Sequence, residues 1–137
     1  MRYTLFDERK DSAILVARIL LVLLFVIFGW EKWVGFSETV AEMTAVGLPA
    51  PALAAVIAIA VELGLGILIA LGFWTRPAAL LVALYTIAAA LIAHRYWTMH
   101  GGEQHSNMIH FYKNLGIAGG MLLLGITGPG KYSIDGR

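Results

Sequence analysis

Four long, predominantly apolar stretches constrain this chain more than anything else in it: approximately Ser12 to Trp33, Ala52 to Phe73, Pro77 to Trp97 and Met108 to Thr127. At a helical rise of roughly 1.5 Å per residue, each is long enough to cross the ~30 Å hydrocarbon core of a bilayer. Lipid offers no partner to backbone N–H and C=O groups, so such stretches cross as helices. The expected fold is an all-α membrane protein, one transmembrane domain over residues 1–137. Connections as short as Trp74 to Arg76 make neighbouring helices antiparallel, which gives a four-transmembrane-helix bundle. With 59% hydrophobic residues, 14% charged and a mean hydropathy of +0.76, the chain has a membrane profile rather than that of a soluble core.

The first stretch is too long for a secretory signal peptide. It is followed by Trp30, Glu31, Lys32 and Trp33 instead of a small-residue cleavage site, so it is expected to stay as a helix. Arg2, Arg9, Lys10, Arg76, Lys131 and Arg137 flank one side of the bundle, and Lys32, Arg95 and Lys113 the other. The positive-inside rule therefore places both termini in the cytoplasm. Trp30, Trp33, Tyr96 and Trp97 then fall at the outer interface and Trp74 at the inner one. The outer loop from Gly35 to Pro51 is expected to carry a short interfacial helix at about 37–46, with Ser37 as its N-cap and Gly47, Pro49 and Pro51 closing it.

Two function classes are excluded early. A net charge of +1 with scattered basic residues gives nucleic acid nothing to bind. With no cysteine, the chain cannot run dithiol chemistry or hold an iron–sulfur cluster through thiolates, so any redox role needs a bound cofactor.

Glu62 is the sharpest polar signal. It stands alone in the second stretch, near that stretch's centre, and is expected close to the bilayer midplane, where a carboxylate costs roughly 3 kcal/mol. Counting from segment midpoints puts Arg18 a few residues toward the cytoplasm and Lys113 about 7 Å toward the outside, so either is expected as its counter-ion. Arg18, Phe25, Gly29 and Lys32 share one stripe of the first helix, expected to face inward. Ala58, Glu62, Gly66 and Ala70 recur every four residues on the second, and Lys113 stands above Gly116 and Gly120 on the fourth, small residues that let helices approach closely in lipid.

Two readings of these residues stand side by side. One is a structural network that fixes helix register. The other is a polar pocket, supported by the gathering of His94, Arg95, Asn107, His110, Lys113 and Asn114 toward the outer half. A carboxylate beside imidazoles suits proton exchange with a quinone-type head group, although other ligands fit the same residues. The ligand-pocket candidates are Arg18, Lys32, Glu62, His94, His110, Lys113 and Asn114; no catalytic residue is identified. The spacings of His94, His100, His105 and His110 match no compact helical metal motif, and His100 and His105 are expected in a loop with Gly101 and Gly102. Metal and haem are therefore disfavoured, with His94 and His110 the pair to test. Gly128-Pro129-Gly130 follows a helix instead of preceding one, and reads as a terminator and not a phosphate loop.

Arg18, Phe28-Gly29 with Lys32, Glu62-Leu63-Gly64, Leu71-Gly72-Phe73 with Thr75-Arg76, His94, and the ending Thr127-Gly128-Pro129-Gly130 with Ser133-Ile134-Asp135 carry a resemblance over nearly the whole chain. In their order and spacing the sequence resembles the DoxX family of small four-helix inner-membrane proteins, in its YphA-type branch. The resemblance implies a multi-pass protein of the bacterial inner membrane. It also implies a link to quinone-dependent membrane redox chemistry as an accessory subunit, with Arg18, Lys32 and Glu62 as the residues to carry over first. Expected partners are membrane lipid, a quinone or other small apolar ligand, redox-enzyme subunits or a second copy of the chain. The competing class is a non-catalytic membrane scaffold or assembly factor. A small-molecule or lipid transporter would need oligomerisation, because four helices without an internal repeat are too few for alternating access.

Overall fold

The computed structural model describes residues 6–136. Among them the secondary structure is entirely helical, and four helices are long and apolar enough to cross a membrane. Arg2 and Arg137, two of the charges used to orient the chain, lie outside the described residues. The first spanning helix is Lys10–Val34, entered through a 3-10 turn at Asp7–Arg9. The second runs over Pro51–Leu71 as Pro51–Ile59, a π-helical segment Ala60–Leu65, and Gly66–Leu71. The third is Thr75–Ala93, followed by a 3-10 turn at Tyr96–Thr98, and the fourth is Gly101–Thr127.

Each boundary has a local cause. Pro51 opens the second helix at a position where its missing N–H costs nothing. Gly72 closes it at φ 69, the left-handed conformation that glycine adopts without a Cβ penalty. The short surface helix is Phe36–Ala45, one residue earlier than expected, and Ser37 does not cap it. Instead the buried Thr39 hydroxyl donates to the carbonyls of Lys32 and Gly35, at 3.0 and 2.9 Å, and ties this helix to the end of the first. The fourth helix begins well before Met108. His105 is therefore helical and His100 occupies the N-cap position, which corrects the expectation of a flexible glycine-rich loop: Gly101, at φ 64, makes the turn into the helix and Gly102 then continues it.

The helices follow one another around the bundle, each packed against its sequence neighbour, with a short first-to-fourth contact closing the ring. The close-packed part lies in the half nearer the termini, where Val22, Phe25, Ile69, Val82, Met121 and Leu124 meet. In lipid, association relies on van der Waals fit more than on apolar burial, and Ala78, Ala79 and Ala83 on the third helix supply the small surfaces on which its neighbours close. Gly29 does the same between the first and second helices: a Cβ there would stand 2.5 Å from the backbone nitrogen of Leu63.

The tail after Thr127 folds back over the termini end. Arg18 is 2% exposed and donates to the carbonyl oxygens of Pro129 (2.5 Å), Tyr132 (2.8 Å) and Ala70 (3.2 Å). Asp135 accepts from the N–H groups of Trp74 (3.0 Å) and Thr75 (2.9 Å), which begin the third helix and have no intrahelical partner. Asp11 accepts from the Lys131 N–H at 2.9 Å. The first turn of the first spanning helix and the tail thus meet on one side of the bundle.

Candidate functional site

The half of the bundle away from the termini is hollow. A cavity of about 550 Å³ lies between all four spanning helices and is roofed by the surface helix and the loop after it, through Glu42, Met43, Val46 and Leu48. A volume of this size suits one small ligand. Most of the wall is apolar, with Phe25, Phe28, Ile57 and Ala89 among its residues. Set into that wall are Lys32, Glu62, Tyr85, Thr86, His94, Lys113 and Asn114.

Glu62 is 6% exposed and sits inside the π-helical segment. Such segments widen a helix by one residue and break its i→i−4 ladder, and they recur at functional sites. One carboxylate oxygen, Oε1, accepts from Lys32 Nζ at 3.0 Å; the other, Oε2, accepts from the Tyr85 hydroxyl at 2.6 Å. The Lys32 ammonium also lies 5.9 Å from the centre of the Phe28 ring, where a cation is attracted to the aromatic face.

The counter-ion of Glu62 is therefore Lys32, and neither Arg18 nor Lys113. The reason is helix offset. Gly29 packs against Glu62 and Leu63, Gly66 against Phe25 and Val26, and Gly72 beside Arg18. Glu62 is central in its own helix yet level with the last third of the first, so it does not lie opposite that helix's midpoint. Arg18 is displaced from that level by roughly 16 Å at helical rise, and its guanidinium belongs to the tail clamp. Of the seven candidates, Lys32, Glu62, His94, Lys113 and Asn114 line the cavity and Arg18 does not.

His110 stands beside the cavity. Its ring lies 5.1 Å from that of His94, and its Nδ1 is 3.1 Å from Lys113 Nζ. An ammonium can only donate, so that nitrogen of His110 carries a lone pair. His94 Nδ1 is 2.9 Å from Asn107 Oδ1, while Asn107 Nδ2 donates to the Glu103 carbonyl at 3.0 Å. His94 Nδ1 is thus the donor to Asn107. Among the described residues no group of three or more His, Asp or Glu side chains gathers where it could hold a metal ion.

Tyr85, Thr86 and Glu42 are cavity residues that sequence reasoning passed over. Tyr85 carried a usable signal: a phenol in the middle of an apolar span, far from the interfacial belt where tyrosine normally sits, needs a polar partner inside the bundle.

The chain resembles known proteins along its whole length. The DoxX family model matches residues 13–95, which takes in the first two spanning helices, the third, and Glu62. The inner membrane protein YphA of Escherichia coli is 50% identical over the whole of this chain and 98% of that protein. The inner membrane protein YqjF of the same organism is 44% identical over 92% of each. No solved structure matches. A family match over more than half the chain, near full-length similarity to inner-membrane proteins, and four spanning helices together make this a multi-pass inner-membrane protein that belongs to the DoxX family.

Proposed function

We propose that this protein is a ligand-binding protein of the inner membrane, whose cavity takes a small amphiphile with a hydrogen-bonding head. The single observation that carries this reading is the 550 Å³ cavity, with the Lys32–Glu62–Tyr85 array in its wall and apolar residues around it. A purely structural ion pair does not require a hollow beside it, and close packing in the other half of the same bundle is evidence that the chain can fill its interior. A quinone, held in an accessory subunit of membrane redox chemistry, is the ligand the family resemblance implies and the first to test. Its head group would meet donors from Lys32, Lys113 and Asn114.

One observation favours the scaffold reading instead. Both oxygens of Glu62 are already occupied, which is what a register-fixing network would require.

Organic extraction with mass spectrometry and a visible spectrum, on protein purified in mild detergent, separates the two. The expected result is a stoichiometric molecule other than bulk phospholipid in the wild type, reduced in Glu62→Gln and absent from Ala89→Trp, which fills the cavity. Helical circular dichroism checks that both variants fold. A folded wild type carrying only bulk phospholipid would leave the scaffold reading in its place.

A further inference from the structure

The unmatched charge in the cavity identifies the head group more closely. Among the described residues Lys32–Glu62 is the only ion pair, and it is self-contained. Each Glu62 oxygen already accepts a hydrogen bond, and the charge of this acid in the cavity wall is matched by Lys32 before any ligand arrives. Lys113 is different. It lines the same cavity from a spanning helix, and its hydrogen bond goes to the lone pair of His110, which satisfies one N–H and cancels no charge. Asn114 is beside it in the wall. An ammonium on a membrane-spanning segment is costly without a counter-ion.

Glu42 is the other unmatched charge at this cavity. It belongs to the surface helix, outside the spans, and is exposed, so water at the interface solvates it at little cost. Lys113 is exposed as well, but it sits in a helix that spans the membrane, where lipid takes the place of water and gives an ammonium no such relief. We infer that the cavity recognises an amphiphile with an anionic oxygen head, a carboxylate or a phosphate, that pairs with Lys113 and takes a hydrogen bond from Asn114 while its chain lies against Phe25, Phe28 and Ile57. A neutral quinone would accept the same hydrogen bonds and leave the ammonium uncompensated. This inference rests on the reading of the cavity as a ligand site.

Native mass spectrometry of the detergent-purified chain with four added probes tests it: oleate, a single-chain phosphate monoester, a short-chain quinone and dodecylamine. Retention of oleate or the phosphate monoester about tenfold above both the quinone and the amine is expected, equivalent to roughly 1.4 kcal/mol. Comparison of oleate with the monoester separates the two sources of the anion. Lys113→Met should abolish the preference and Lys113→Arg restore it, at unchanged helical content. Equal retention of acid and amine probes, retention of the quinone equal to that of the acids, or an acid preference that survives Lys113→Met would each overturn the inference. Amine retention lost in Glu42→Gln would reassign recognition to that carboxylate. Should Lys113→Met fail to fold, the wild-type ranking of the probes decides alone. Ala89→Trp separates this failure from that of the broader reading: a folded variant that retains every probe as the wild type does removes the cavity as a ligand site altogether.

Discussion

At the scale of single residues, the decisive fact is that Glu62 is satisfied twice by side chains from two other helices. Lys32→Met strands a carboxylate that is 8% exposed at its side chain, so a loss of about 3–5 kcal/mol is expected in detergent unfolding. The double variant with Glu62→Gln should recover part of it, because the uncompensated charge is gone; a double variant no better than Lys32→Met alone would contradict the pairing. Tyr85→Phe removes a hydrogen bond to a charged group and should cost about 1.5–3 kcal/mol in the same assay. Gly29 is the other sensitive residue. Its hypothetical Cβ meets backbone at Leu63 and Glu62, which cannot rotate away as a side chain can. Gly29→Ala should therefore cost at least about 1–3 kcal/mol, whereas Gly64→Ala, with nothing within 4 Å, should pass unnoticed apart from its effect on the π segment.

At the scale of elements, the second helix and the tail each hold a device that can be tested. The π segment Ala60–Leu65 places an extra residue in one turn. Deleting Gly64 should restore a regular helix with Gly66 and Ile69 still packed, and shift Glu62 out of the position from which it meets both Lys32 and Tyr85. Loss of any copurifying molecule with helical content retained is the expected readout. The tail is held by charge. The Thr75 N–H, with help from Trp74 and from Arg18, holds the Asp135 carboxyl below its ordinary value of 3.8. The unfolded chain then binds that proton more tightly than the folded one, so the contribution of Asp135 is complete above the ordinary value and lost as pH falls through the lower, folded value. Protection of residues 128–136 against hydrogen exchange, relative to the intrinsic rate at each pH, should fall in acid, and Asp135→Asn should show the lower protection at neutral pH; unchanged protection in the variant would rule out the clamp.

At the scale of the whole molecule, the bundle is asymmetric: close-packed toward the termini, hollow toward the other end, with the surface helix as a roof. Its orientation is a prediction. Reporter fusions that fluoresce only in the cytoplasm should be active at both the N- and the C-terminus and inactive in the loop after Ala45. A bright loop fusion with dark termini would invert the bundle and place the cavity on the cytoplasmic side.

The number of helices, their class, their alternation across a membrane and the family were legible in the linear sequence. Each depends on a run of apolar residues or a local pattern, and in lipid a run of that length has one way to satisfy its backbone. Glu62, Lys113, His94 and Asn114 were visible for the same reason, as polar residues where polarity is costly. Which of them meet was decided by tertiary structure. The offset that sets Gly29 against Leu63 gives Glu62 to Lys32 and not to Arg18, and the π segment and Tyr85 complete a site that midpoint counting cannot find. Helix register in a bundle depends on close contacts between residues far apart in the chain, so no periodicity within one helix encodes it alone.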